Sequence, residues 1–303
     1  MKPARGAGFG KRSLFLAIWR SPRGRRNVSV RKGSEHMKSR ILVAVIGVPV
    51  LVYVVLWAPS VVMAFALSLL TGVGGIELQR CVSGVKKSPL VGISGLFAMS
   101  TVAWYYIWPD YILPGLLFWT AVLFGYAIYK GGEVKFQQIM AGLFGGVFIS
   151  YSFNAFLRLE AAGIHRAYLL LPFILSFGCD TFAYFTGLTL GKHKLAPKVS
   201  PKKTVEGAVG GLVGNAACGL LFAFVMDRWF GGSIGYGPMA LLALLCGVVA
   251  QIGDLSFSLI KREFGIKDYG HIFLEHGGVL DRFDSVLFVA PVIENVLMLV
   301  SAF

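Results

Sequence analysis

The chain has 303 residues, of which 56% are hydrophobic and 14% aromatic while only 15% are charged, giving a mean hydropathy of +0.70; water-soluble domains carry about a quarter charged residues. That excludes a soluble globular protein, and sustained apolar runs of roughly 20 residues without strict alternation exclude a β-barrel, leaving an all-α, polytopic integral membrane protein. The net charge of +14 resides in loops and an N-terminal arm and not on a folded basic surface, which argues against a nucleic-acid partner.

Residues 1–36 form a basic N-terminal arm with ten Lys and Arg and little apolar sequence beyond SLFLAIW, which is too short to span a bilayer. The string GSEHM at 33–37 has the look of a cloning junction. Two readings follow: an expression tag or fusion ahead of a native start at Met37, or a natural basic arm without catalytic work. Nine spans are predicted beyond it, at about 41–58, 60–78, 89–108, 111–129, 136–157, 167–190, 205–226, 236–260 and 283–302. They divide into N-terminal transmembrane helices over 37–157 and a C-terminal transmembrane catalytic region over 158–303, where polar residues enter the spans.

Alternate loops hold 14 and 3 of the Lys and Arg, the remaining 12 lying before the first span. This bias places the N-terminus in the cytoplasm, with an odd number of spans. Tyr53, Trp57, Trp104, Tyr105, Tyr106 and Trp108 fall near span ends, as interfacial aromatics do. Cys81, Cys179, Cys218 and Cys246 are widely spaced and without CxxC or His partners, which reads as packing thiols.

Charges inside spans are costly and mark sites or pairs. Glu77, in TGVGGIELQR, reads as a helix-end carboxylate paired with Arg80, or else as part of a site lining. Asp180, in FGCDTFAYFTG, lies mid-span and reads as the wall of a polar cavity. The loop GKHKLAPKVSPKKTVEG then sets Lys192, Lys194, Lys198, Lys202 and Lys203 around Pro197 and Pro201, and runs from Ser200 into a helix start with Glu206 in its first turn. Hydroxyls and lysines at a helix N-terminus suit phosphate oxygens, whereas anionic lipid would satisfy the charge alone. GLTLGKH is not a P-loop, because the spacing and the hydroxyl after the lysine are missing. Gly207xxxGly211 and Gly210xxxGly214 permit close helix packing.

Asp254, Ser258 and Lys261 recur at i, i+4 and i+7 and so share one helical face. Asp254 lies seven residues before Lys261, roughly 10 Å deeper at about 1.5 Å per residue. The loop that follows gathers Arg262, Lys267 and His276 among glycines and returns to the membrane at Asp281-Arg282-Phe283-Asp284. Asp254 and Asp281 on separate helices, among cations, suit Mg²⁺ bound to phosphate, which takes only one or two protein carboxylates. A salt-bridged helix-loop-helix that merely closes one face is the competing interpretation.

The pattern Ser258-x-Ile260-Lys261-Arg262-x4-Lys267-Asp268-x-Gly270-x5-His276-Gly277-Gly278-x2-Asp281-Arg282-Phe283-Asp284 closely resembles the signature of the phosphatidate cytidylyltransferase (CDP-diacylglycerol synthase) family. Asp180-x2-Ala183-Tyr184-x2-Gly187 and Lys198-x-Ser200-Pro201-x-Lys203-Thr204-x-Glu206-Gly207 look like further segments of it. Departures fall at Phe182, Leu188, Leu274 and Glu275. The resemblance implies transfer of CMP from CTP to phosphatidic acid, with Mg²⁺, in phospholipid biosynthesis. It implies an enzyme of the bacterial-type cytoplasmic (inner) membrane with its active site facing the cytoplasm.

On this reading Asp254 and Asp281 hold the metal, with Asp284 and Asp180 in support. Lys261, Arg262, Lys267, Arg282, Lys202 and Lys203 neutralise phosphates, and Ser200, Ser258 and His276 position them. CTP, phosphatidic acid and the lipid bilayer are the expected partners, and a homo-oligomer is left open. The rivals are an ion or solute transporter using an intramembrane Asp/Lys path, and a CTP-dependent enzyme acting on another lipid phosphate.

Overall fold

The computed structural model describes residues 45–85, 87–232, 234–272 and 277–301. The basic arm, the opening of the first predicted span, Leu274, Glu275 and His276 lie outside the described residues. The helices are α1 (Val45–Leu56), α2 (Ser60–Ser83), α3 (Pro89–Ile107), α4 (Ile112–Tyr129), α5 (Phe136–Leu143), α6 (Ser150–Ala161), α7 (Leu171–Leu190), α8 (Val205–Trp229), α9 (Tyr236–Glu263) and α10 (Leu280–Ser301). A π-helical stretch, Phe144–Ile149, joins α5 and α6 into one apolar span. Among the described residues eight helical segments are long and apolar enough to cross a membrane, and α1 is a shorter apolar helix within the first predicted span. Each of the eight matches a predicted span.

The structure differs from the expected boundaries at three places. The last span begins at Leu280, so Asp281 and Arg282 belong to its first turn and not to a loop mouth. The lysine-rich connection is not irregular: β1 (Lys194–Ala196) and β2 (Ser200–Thr204) pair as an antiparallel hairpin with Lys194 opposite Thr204. Arg158, expected in a loop, lies in the last turn of α6, because its guanidinium makes a two-pronged ion pair with Glu294 of α10. Tyr151 lies under the same guanidinium at 4.2 Å and Tyr105 at 5.7 Å. Nearby, Arg166 pairs with Glu160 and donates to the Ala58 carbonyl at 2.6 Å, closing the end of the bundle opposite β1 and β2.

Small residues let the helices approach. A Cβ on Gly75 of α2 would stand 2.9 Å from the Ala98 Cβ of α3, and one on Gly207 of α8 would stand 2.8 Å from the Ala183 carbonyl of α7. The paired glycines of α8 therefore serve packing: Gly211 faces Ala183 and Cys179, while Gly210 and Gly214 abut Thr186 and Phe182. Between helices the core is aromatic, with Phe283 of α10 set edge-on to Phe153 of α6 and Phe173 of α7. Cys81, Cys179 and Cys246 are buried and, like Cys218, free thiols. Tyr53, Trp57, Tyr106 and Trp108 are exposed near span ends as expected, whereas Trp104 turns inward against Gly115.

The Arg158–Glu294 pair is buried, with side-chain exposures of 15% and 5%, so removing one partner strands the other. Glu294→Ala is expected to destabilise the fold by about 3 kcal/mol or more, and Arg158→Met with Glu294→Met by much less, since an apolar pair strands no charge. The thermal unfolding midpoints of the two variants in detergent check this.

Candidate functional site

The site grows from the last three turns of α9. Asp254, Ser258 and Lys261 share one face, and the Ser258 hydroxyl donates to Asp254 Oδ1 at 3.3 Å. One residue earlier, Gly253 permits a close crossing with α10: a Cβ there would stand 2.9 Å from the Asp284 carbonyl and 2.9 Å from the Phe288 ring. The crossing brings Asp284 beside Asp254. Asp180, from α7, faces the same space, and the charges of the three carboxylates act on one another. The Ser285 N–H donates to Asp284 Oδ1 at 2.8 Å. A floor of aromatic rings lies under this crossing, with Phe148 and Phe144 of the π-helical stretch against Phe288 and Phe257.

The β1–β2 hairpin lies at the same end of the bundle. Along β2 Pro201 and Lys202 are exposed, whereas Lys203 is half-buried and Thr204 buried. The Lys203 ammonium meets Asp254 Oδ2 at 2.5 Å. The root of the hairpin is tied down by Glu206, which accepts from the Lys192 and His193 N–H groups and meets His193 Nδ1 at 2.6 Å. Thr204 caps α8 by accepting from the Gly207 N–H, and the Val205 N–H donates to the His193 carbonyl. The helix N-terminus expected to receive phosphate thus spends these two N–H groups on the chain itself. Arg262 links the hairpin to the loop after α9 by donating to the Val199 and Ile266 carbonyls.

That loop is held by two buried carboxylates. Asp281 Oδ2 accepts from the Tyr269 N–H at 2.7 Å and the Gly278 N–H at 2.9 Å, while Oδ1 accepts from Lys261 Nζ at 2.9 Å. Lys261 also lies 5.4 Å from the centre of the Tyr269 ring. Burial pushes the Tyr269 phenol well above its ordinary pKa, so it stays protonated and donates to the Phe257 carbonyl at 3.0 Å. From the other half of the chain, Glu77 of α2 accepts the Val279 and Leu280 N–H groups at 3.1 and 3.0 Å. Gly270 and Gly278 lie directly against the Glu77 carboxylate, leaving no room for a side chain.

The structure therefore gathers Asp180, Asp254, Asp284, Ser258 and Lys203 into one cluster and sets Asp281 with Lys261 beside it. Ser200 is half-buried on β2, and Lys267 and Arg282 are exposed around the same end. His276 is outside the described residues. Sequence reasoning missed the function of Glu77, which caps α10 from a distant helix. The signal was its unusual position, a lone carboxylate in a glycine-rich span, but its partners are backbone groups some 200 residues away and carry no side-chain pattern. Tyr269 and His193 were missed as well, because their partners, Asp281 with the Phe257 carbonyl and Glu206, lie across a loop and a hairpin whose folding no helical period describes.

Among the described residues no three His, Cys, Asp or Glu side chains stand in a metal-ligand arrangement. The donor chemistry nonetheless suits a hard divalent cation: Asp180, Asp254 and Asp284 come from three helices, their charges act on one another, and an ammonium already sits on Asp254.

Residues 38–300 match the model of the cytidylyltransferase family. The chain is 31% identical over 270 residues to a phosphatidate cytidylyltransferase of Staphylococcus haemolyticus, covering 87% of this chain and 99% of that protein. It is 32% identical over 268 residues to one from Staphylococcus aureus, covering 88% and 100%. It is 32% identical over 280 residues to one from Bacillus subtilis, covering 88% and 99%.

Glu77→Ala removes the acceptor for two buried N–H groups and is expected to cost roughly 2–4 kcal/mol, with Glu77→Gln intermediate because it keeps one oxygen. Faster amide hydrogen exchange confined to residues 277–281 and the loop before them is the measurement that checks it.

Proposed function

The chain belongs to the cytidylyltransferase family, and we infer from that premise that it transfers CMP from CTP to phosphatidic acid, releasing pyrophosphate and forming CDP-diacylglycerol for phospholipid synthesis. What supports this at the level of the site is the convergence of Asp180, Asp254 and Asp284 from three helices beneath a lysine-bearing hairpin, at one end of a membrane bundle. The bond that forms joins a phosphatidate oxygen to the α-phosphorus of CTP, and the bond that breaks releases pyrophosphate. The attacking phosphate is already anionic, so no strong protein base is required; orientation and charge neutralisation carry the catalysis.

Within this reading Asp254 and Asp284, with Asp180 beside them, are the carboxylates proposed to hold Mg²⁺. Asp281, whose Oδ1 accepts from Lys261 and whose Oδ2 accepts from the Tyr269 and Gly278 N–H groups, is proposed to hold the loop beside the metal and not to ligate it. Bound there, Mg²⁺ would neutralise triphosphate charge and fix the α-phosphorus for in-line attack. The chain's own cations do the rest. Lys203, on the hairpin, and Lys202, Lys267 and Arg282, at the exposed rim, attract and orient the nucleotide phosphates. Lys261 stays with Asp281 and sets the floor of the phosphate site, and Ser258 orients Asp254. Ser200 and His276 are proposed to position phosphate oxygens.

The site end carries Arg80, Lys87, Lys130, Lys135, the hairpin lysines and the cations of the loop after α9, whereas Arg158, Arg166 and Arg228 mark the far end. On the positive-inside rule the site is proposed to face the cytoplasm, with the N-terminus on the same side, in a bacterial-type inner membrane. CTP arrives there from water, while phosphatidic acid, whose tails remain in the bilayer, enters from the side.

Labelled CTP, Mg²⁺ and phosphatidic acid should yield a labelled, lipid-extractable CDP product with the purified chain. No such product from folded protein, together with solute flux in vesicles, would overturn the reading. A panel of other lipid phosphates identifies the acceptor. Asp254→Asn should lower turnover by on the order of 10²–10³ with the fold intact by circular dichroism.

A further inference from the structure

Two lysine–aspartate pairs stand side by side in the site, and they are built differently. Lys261 and Asp281 have side-chain exposures of 11% and 5%. The carboxylate of that pair also accepts two backbone N–H groups, and its ammonium lies beside the Tyr269 ring. Nothing in that pair can move without releasing the loop.

Lys203 and Asp254 have side-chain exposures of 25% and 24%. Apart from Lys203, the bond to the Asp254 carboxylate among the described residues is the Ser258 hydroxyl at a long 3.3 Å. The backbone at the root of Lys203's hairpin is fixed by Glu206, the His193 carbonyl and Arg262. Its flexible four-carbon stem is therefore the part free to reorient. The charge balance points the same way. Asp180, Asp254 and Asp284 interact as like charges, and Lys203 acts on both Asp254 and Asp180. Lys261 reaches Asp284 only while already committed to Asp281.

We propose that Lys203 is an exchangeable counter-ion: it holds the Asp254 oxygen that a divalent cation takes, and on metal entry it swings from Asp254 onto the phosphate chain of the nucleotide. The inference rests on the proposed role of Asp254 as a metal ligand. An ammonium and a divalent cation repel strongly on one carboxylate oxygen at contact distance, so metal alone displaces the lysine from the one ion pair it makes among the described residues. Metal arriving with a triphosphate gives the lysine a new anionic partner. Metal by itself is therefore held weakly, and the loaded nucleotide is favoured, which keeps the cluster from being filled by free cation before substrate arrives.

The signature is opposite movement of two affinities. Lys203→Met should bind Mg²⁺ alone more tightly, on the order of tenfold, because the competing cation is gone. It should bind CTP in the presence of Mg²⁺ more weakly by a similar factor. Both midpoints are read from the thermal unfolding temperature of the full chain in detergent, titrated with Mg²⁺ alone and then with CTP at fixed Mg²⁺. Lys203→Arg keeps a cation on Asp254 and should leave the Mg²⁺ midpoint within about threefold of the unsubstituted chain. Lys202→Met removes the same charge from the neighbouring, exposed position and should not tighten Mg²⁺ binding comparably.

An unchanged or weaker Mg²⁺ midpoint in Lys203→Met overturns the proposal, as does equal tightening in Lys202→Met. Should Lys203→Met fold only when Mg²⁺ is supplied, the metal has replaced the counter-ion and the proposal stands; failure to fold even then, with Lys203→Arg folding normally, overturns it. CDP-diacylglycerol formation by the unsubstituted chain in the same preparation keeps the two levels apart. Product with no Lys203 effect on Mg²⁺ removes the exchange alone, whereas absence of product removes the functional reading.

Discussion

Two buried carboxylates hold one loop by four of its backbone N–H groups, and the site depends on that grip. Asp281 takes the amides of Tyr269 and Gly278, and Glu77 takes those of Val279 and Leu280. Charge-assisted bonds of this kind are about twice as strong as neutral ones, and an apolar surrounding strengthens them further. They fix where α10 begins, hence where Asp284 lies relative to Asp254. They also explain the glycines, since side chains at Gly270 or Gly278 would occupy the space of the Glu77 carboxylate. The loop before α10 thus borrows one of its anchors from α2.

The cost of placing charge in an apolar bundle is met differently at its two ends. At the far end Arg158 and Glu294, and Arg166 and Glu160, close into pairs that hold helices together. At the site end Lys261 and Asp281 do the same, but the three neighbouring aspartates outnumber the cation that reaches them from the hairpin. A surplus of like charge in a confined, partly dry space is a standing demand for cations. The proposed binding of a metal and a triphosphate would use that imbalance.

Geometry is supplied by small residues and one irregular helix. Gly253 lets α9 and α10 cross at carbonyl contact, and the glycines of α8 let it lie on α7, so the three aspartates come from helices that cannot easily shift apart. The π-helical turn at Phe144–Ile149 feeds Phe144 and Phe148 under the crossing. Such turns rotate side chains out of the regular helical register, which a period of 3.6 does not foresee.

Much of this was legible from the sequence. Hydropathy alone set the class, because a bilayer demands long apolar helices whatever packs against them, and eight of the spans fall where the apolar runs place them. The periodicity of Asp254, Ser258 and Lys261 put them on one face, and the spacing of residues 258–284 identified the family. What the sequence left undecided was pairing between elements. It set Asp254 with Asp281 as the leading carboxylates and Asp284 and Asp180 in support, Glu77 with Arg80 or in a site lining, and Arg158 in a loop. The folded chain puts Lys203 on Asp254, adds the backbone of α10 to what Glu77 holds beside the charge of Arg80, and gives Arg158 to Glu294. Local spacing reports which side chains share a helix face, but the partner of a buried charge is chosen by which helices cross and how closely, and that was decided only by the tertiary structure.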